Sequence, residues 1–306
     1  MIYLGFDTSN YTTSAAVFDT DTGKMYRAGK LLPVGPGELG VRQSDALFHH
    51  TVQLPEITET VMADVHENIR AVGVSSRPRN IEGSYMPCFL AGVTAAEIIS
   101  SVNNIQIFKT SHQIGHILAA LFSIDRLELI NEPFYALHVS GGTTDMLLCT
   151  PDEDEKICCE LVSASADLKA GQLIDRVGVM LGLQFPCGPE LEKLAATASY
   201  NKKINVAKKD GNPCFSGIEN LCKKMIETGE PKEEVARFVL EYIKTAILEM
   251  VNTHAKTETV VFAGGVMSNE IIKSYFDNKR FLFAAPGFSS DNAVGTAVYA
   301  YLKDNK

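Results

Sequence analysis

Apolar residues open the chain in one short run, "IYLGF" at positions 2–6, which stops at Asp7. A small polar turn follows, Thr8-Ser9-Asn10, then a second apolar run, "TSAAVFD", and the stretch "DTDTG" turns the chain back for a third strand. The same order recurs from position 134: "FYALHV", the turn Ser140-Gly141-Gly142-Thr143, a second strand, an acidic turn, and a third strand in "KICCELVSAS". Runs bounded by glycine, aspartate and asparagine are strand and turn signals. After each triplet, amphipathic helices alternate with apolar strands: "AVGVSS" and "IQIFKT" in the first half, "VVFAGG" and "FLFAAP" in the second. The pattern predicts a duplicated α/β protein, two domains facing a shared cleft. The first domain is expected over residues 1–120, closed by a C-terminal helix over 289–306, and the second over residues 121–288. Both small-residue turns should point into the cleft, where backbone N–H groups of glycine and serine can hold an anion.

Composition narrows the setting. At 306 residues and 45% hydrophobic, the chain can bury two cores. It has no apolar run near the ~20 residues that cross a bilayer, and "MIYLGF" lacks the basic start of a secretory signal. A cytoplasmic protein without a membrane partner is expected. The seven cysteines are odd in number and include no C-x-x-C, which fits reduced thiols. The net charge is −9, so any nucleic acid would need a local basic patch or a basic partner.

Three stretches carry candidate chemistry. In "TSHQIGHILAAL" (residues 110–121), His112 and His116 lie four apart at the head of an apolar helix, so both imidazoles share one face. That suits two metal ligands, and it equally suits two packed, hydrogen-bonded histidines. Gln113 stands where a zinc protease carries its glutamate base, which argues against proteolysis. In "VVFAGGVMSNE" (residues 260–270), a buried strand runs into Gly264-Gly265 and a helix capped near Ser268. A flat base could lie on those glycines with Asn269 beside it, or the stretch is a plain strand-to-helix turn. Asp291 precedes the last helix, as an N-cap or as a metal carboxylate.

Taken in order, "LGFDTSNYTTSAAV", "FHHTVQLPEI", "SHQIGHILAAL", "VSGGTTDMLL", "GQLIDRVGVMLGLQFPCGPELEKLA", "CFSGIEN", "FAGGVMSNEII" and "SSDNAVGTA" resemble the threonylcarbamoyladenosine synthase family, TsaD, also called YgjD or Gcp. The resemblance runs almost end to end. It implies the duplicated fold of actin, hexokinase and Hsp70 (ASKHA). It also implies transfer of threonylcarbamoyl from its adenylate to N6 of adenosine 37 in tRNA. The implied metal ligands are His112, His116 and Asp291, with His138 a further candidate; the metal is iron or zinc. ATP or threonylcarbamoyl-adenylate is the implied ligand of His138, Val139, Ser140, Gly141 and Gly142, then Asp175, Gly188, Glu192 and Asn269. The expected partners are a TsaB-like paralogue and a TsaE-like ATPase, with tRNA held only weakly by this chain alone.

The departures from the family pattern are chemical. The first turn usually reads T-S-C-D-[DE]-T, whereas here it is Thr8-Ser9-Asn10-Tyr11-Thr12-Thr13. Asp7 and Ser9 are then the catalytic candidates. Ile114 replaces a glutamate between the histidines, Thr143 a histidine after the S-G-G turn, and Glu219 the lysine of F-S-G-L-K-T. Two functions follow: a divergent transferase, or a catalytically impaired nucleotide-binding partner that regulates a true synthase.

Overall fold

The computed structural model describes residues 1–9, 11–33, 41–65, 67–200, 203–288 and 292–305. Its first sheet is built from β1 (Ile2–Asp7), β2 (Thr12–Asp19), β3 (Lys24–Leu31), β4 (Ile69–Arg77) and β5 (Gln106–Ser111). The helices α1 (Gln43–Met62), α2 (Phe89–Asn103) and α3 (His112–Ser123) connect or follow these strands. The second sheet uses β6 (Phe134–Val139), β7 (Thr144–Asp152) and β8 (Lys156–Ala164). Then come α4 (Ala170–Met180), α5 (Gly188–Ala195), a small hairpin of β9 (Lys208–Lys209) and β10 (Asn212–Pro213), α6 (Ser216–Glu227) and α7 (Lys232–His254). The chain ends with β11 (Val260–Ala263), α8 (Glu270–Lys273), β12 (Phe281–Phe283) and α9 (Asn292–Asp304).

The two large sheets repeat one topology. The first runs β3-β2-β1-β4-β5 and the second β8-β7-β6-β11-β12. In each, the first strand pairs antiparallel with the second and parallel with the fourth, which pairs parallel with the fifth. This is the duplication read from the alternating runs. Strand β1 is buried along its whole length, as a continuous apolar run at a sheet centre should be. Strand β3 is the half-exposed edge, with Lys24, Arg27 and Lys30 on it, charges that discourage further pairing.

Contacts divide the chain into two units, Met1–Asn131 with Pro151–Cys158 and Gly287–Lys306, and Glu132–Thr150 with Cys159–Pro286. The first core joins Leu4, Phe6, Val17, Val72 and Val74 of the sheet to Leu54 and Ile57 of α1. In the second, α7 contributes Val239, Ile243 and Ile247 to a cluster with Leu137, Leu173 and Phe262. No described helix is long and apolar enough to cross a membrane.

Candidate functional site

In the first unit the parallel strands deliver their carboxyl ends side by side. Asp7 ends β1, Ser75 lies in β4, and β5 runs directly into α3, whose first residue is His112. The Ser111 hydroxyl caps α3 by accepting the Ile114 N–H at 3.2 Å. One turn of this helix then sets the His112 and His116 rings with centroids 4.5 Å apart. Ile114, where the family has glutamate, is 1% exposed and packs inward. The helix is held by α9: a Cβ on Gly295 would come 1.8 Å from the Gly115 carbonyl oxygen. Only glycine permits that crossing, and it falls between the two histidines.

Asp7 is 1% exposed. Its Oδ1 accepts the Ser9 N–H at 2.8 Å, while Oδ2 meets the Ser75 hydroxyl and, at 3.0 Å, His112 Nδ1. Burial alone would raise this carboxyl's pKa, but the nearby His112 and the hydrogen bonds from His112, Ser75 and Ser9 outweigh it and hold the group below the ordinary carboxylate range. The Ser9 hydroxyl lies 3.5 Å from His112 Nε2. Asp291 lies outside the described residues, and no group of three or more potential metal ligands occurs among the described ones. Two imidazoles on one face, one with its Nδ1 on a carboxylate, are nitrogen donors of the kind that suit a divalent transition metal.

The second unit holds an open pocket of about 550 Å³, within the usual size range of ligand sites. Ser140, Gly141, Asp175, Gly188, Glu192 and Asn269 line it, together with Gly171, Ile174, Pro186, Pro189, Gly265, Val266 and Ser268. Three of its polar side chains each accept one backbone N–H. Asp175 Oδ1 accepts the Cys187 N–H at 2.8 Å, Glu192 Oε1 the Glu270 N–H at 2.6 Å, and Asn269 Oδ1 the Ile272 N–H at 3.1 Å. Asn269 is thus the cap of α8, one residue beyond the Ser268 expected, because a 3-10 turn over Gly265–Ser268 intervenes.

The S-G-G turn departs in detail from a simple anion nest. The Gly142 and Thr143 N–H groups are directed to the Ser140 hydroxyl at 3.3 and 3.2 Å. Gly141 is the glycine of the turn that lines the pocket, and a Cβ there or at Gly265 would meet nothing within 4 Å. Val139 is buried in the core, and His138 is half-buried on β6 in register with Ala263; neither lines the pocket, nor does Gly142. Gly171 also lines the pocket, unmarked by any sequence pattern. A Cβ on it would fall 2.6 Å from Ser140 and Gly141 backbone atoms, so only glycine lets α4 begin directly against the turn. An alanine-glycine pair at a helix start gives no local signal of this.

The model of the family described as TsaD, tRNA N6-adenosine threonylcarbamoyltransferase, matches residues 36–298. The chain belongs to the TsaD family. A protein of Thermosipho melanesiensis named tRNA N6-adenosine threonylcarbamoyltransferase is 29% identical over 98% of this chain and 94% of its own. Among solved structures, component A of the (R)-2-hydroxyglutaryl-CoA dehydratase of Acidaminococcus fermentans matches with a TM-score of 0.61 at 15% identity, over 100% of both chains. The activator of the 2-hydroxyisocaproyl-CoA dehydratase of Clostridium difficile, solved with bound ADPNP, matches at 0.55 and 14%, over 100% of this chain and 96% of that one. At such identities the structures establish the ASKHA fold alone. TsaD membership makes this chain one of a family of tRNA-modifying transferases.

Proposed function

We propose that this TsaD-family chain binds threonylcarbamoyl-adenylate, or ATP, in the pocket of its second unit and transfers threonylcarbamoyl to N6 of adenosine 37 in tRNA. One observation carries the reading. Ser140, Gly141, Asp175, Gly188, Glu192 and Asn269, scattered over some 130 residues of sequence, line a single pocket. Ile174, Pro186 and Val266 supply flat apolar surface for a base, and Asp175 or Glu192 supplies a carboxylate for ribose hydroxyls. Gly141 leaves room for phosphate oxygens at the main chain.

His112 and His116 would hold a divalent metal, with Asp291 proposed to complete the set. When bound, the metal supplies Lewis acidity toward carbamoyl or phosphate oxygens. In the reaction the N6 amine attacks the carbamoyl carbon, a C–N bond forms, the anhydride C–O bond to phosphate breaks, AMP leaves with the electron pair, and the proton lost by N6 passes to water. The part of this chain is to orient the adenylate and to present Ser9 beside His112. A TsaB-like paralogue and a TsaE-like ATPase are the proposed partners, and the cytoplasm the proposed compartment.

A second reading, a nucleotide-binding partner subunit without transfer, is favoured by the first turn. Thr8 to Thr13 carry no carboxylate, and Asp7 is enclosed. Incubation with labelled threonylcarbamoyl-adenylate, tRNA and the partner proteins separates the two. Label on tRNA supports the transferase; nucleotide binding without label on tRNA supports the partner subunit.

A further inference from the structure

We propose that Asp7, itself held by Ser75, is a positioning residue that fixes the ring and tautomer of His112, so that Nε2 is the nitrogen offered to a metal. The inference rests on the reading of His112 and His116 as metal ligands and adds how one of them is aimed. The topology alone assembles the group. Three neighbouring parallel strands end together, which places Asp7 of β1, Ser75 of β4 and the first residue after β5 at one sheet edge.

Hydrogen-bond chemistry then fixes the proton. An ionised carboxylate only accepts. Oδ2 of Asp7 lies 3.0 Å from His112 Nδ1, so that nitrogen carries the hydrogen and donates it. In the ring's neutral form the lone pair is then left on Nε2, on the side where the Ser9 hydroxyl lies 3.5 Å away. Ser75 and the Ser9 N–H take two more of the carboxylate's about four acceptor directions, one on each oxygen, which holds Asp7 against the ring. A carboxylate 1% exposed and tied on both oxygens is poorly placed to exchange protons with substrate. It is well placed to hold a ligand, as carboxylates behind metal-bound histidines do.

Asp7→Asn preserves shape but presents an amide. If its N–H₂ faces the ring, Nδ1 must accept and the proton moves to Nε2, which removes the metal's lone pair. Cobalt(II) titration of the full-length protein, followed by its visible absorption, should show affinity weakened about 10- to 100-fold in Asp7→Asn, with a smaller loss in Ser75→Ala. Nitrogen-15 NMR of the metal-free protein should show His112 protonated on Nδ1 in the wild type and on Nε2 in Asp7→Asn, a shift that mere destabilisation does not produce. Wild-type cobalt affinity and an unchanged tautomer in a folded Asp7→Asn would overturn the proposal. Should Asp7→Asn not fold, Ser75→Ala decides, and wild-type affinity and spectrum there overturn it. The double variant His112→Ala/His116→Ala separates the two ideas. If it still binds cobalt as the wild type does, the metal reading itself fails; if it loses cobalt while Asp7→Asn keeps it, only the positioning role fails.

Discussion

The two glycines that meet at the S-G-G turn should respond oppositely to an added side chain. At Gly141 a Cβ would meet nothing within 4 Å, and the residue lines the pocket. Gly141→Val therefore costs the folded chain little, within about 0.5 kcal/mol as for other unencumbered surface changes. It fills the space where the proposed nucleotide would bring its phosphate oxygens to the main chain, and a loss of about tenfold or more in ATP affinity, about 1.4 kcal/mol, is expected. At Gly171 the added Cβ would fall 2.6 Å from the Ser140 carbonyl and the Gly141 nitrogen. All of those are backbone atoms that cannot rotate aside. The start of α4 must move, which strains the Gly171 N–H bond to the Ser140 carbonyl, 3.2 Å long. Overpacking of this kind costs about 1–3 kcal/mol, and lowers the melting temperature by roughly 1.5–5 °C in a chain of this size.

Differential scanning calorimetry and ATP titration calorimetry on Gly141→Val, Gly171→Ala and the wild type read both quantities. The expected outcome is loss of binding with an unchanged melting temperature for the first, and a lowered melting temperature for the second. Wild-type ATP affinity in Gly141→Val would refute the assignment of phosphate to this turn. An equal fall in melting temperature for both variants would show that the turn is structural at both positions.

Three further outcomes are expected. His112→Ala/His116→Ala should purify folded but without stoichiometric metal by elemental analysis; retained iron or zinc would place the metal elsewhere. The chain alone should bind tRNA no better than the micromolar range of non-specific complexes at physiological salt, given its net charge of −9, and submicromolar filter binding with a steep salt slope would contradict this. Burial alone would raise the carboxyl of Asp167, but N–H bonds from Phe215, Ser216 and Leu168 and the Ser216 hydroxyl hold it below its ordinary range. A depressed folded value means stability present above about pH 3.9 and lost as pH falls through the lower folded value. Urea unfolding should therefore show Asp167→Asn weaker than wild type at pH 7 with the gap narrowing as pH falls below about 3.9; a gap independent of pH would refute the role.

Much of the fold is legible in the sequence because it depends on local periodicity. Strand β1 is a continuous apolar run since both its faces are covered, and β6 repeats it for the same reason. The turns follow from Gly, Asn and Asp, whose preferences need no tertiary context. The His112–His116 pair is legible too, since i and i+4 share a face wherever a helix forms. What was hidden is what depends on neighbours distant in sequence. Nothing near Gly171 announces that the backbone of Ser140 lies against it. Nothing near Asp7 announces Ser75, 68 residues on. The Ser140 hydroxyl's capture of two N–H groups is a matter of one rotamer, which no pattern of residue types encodes.

The departures from the family pattern bear on whether transfer survives. Where the family has the lysine of F-S-G-L-K-T, Glu219 pairs with Arg176 at 2.9 Å. Arg176 directly follows the pocket residue Asp175 in the middle of α4, so a basic group stays next to Glu219 although the motif lysine is gone. The Arg176 side chain is 54% exposed, and an ion pair of that kind contributes at most about 1 kcal/mol. A polyanion could therefore detach the arginine from Glu219 at little cost. Thr143, in place of histidine, keeps its N–H on Ser140 and so preserves the turn while removing a titratable ring. Both replacements spare the scaffold and alter only groups that carry charge or protons. Arg176→Ala and Glu219→Lys then move in opposite directions. With partners present, the first should weaken labelling of tRNA and the second strengthen it, each without changing ATP affinity. Equal labelling by both variants would mean that the F-S-G-I-E-N segment of this chain does not meet the tRNA.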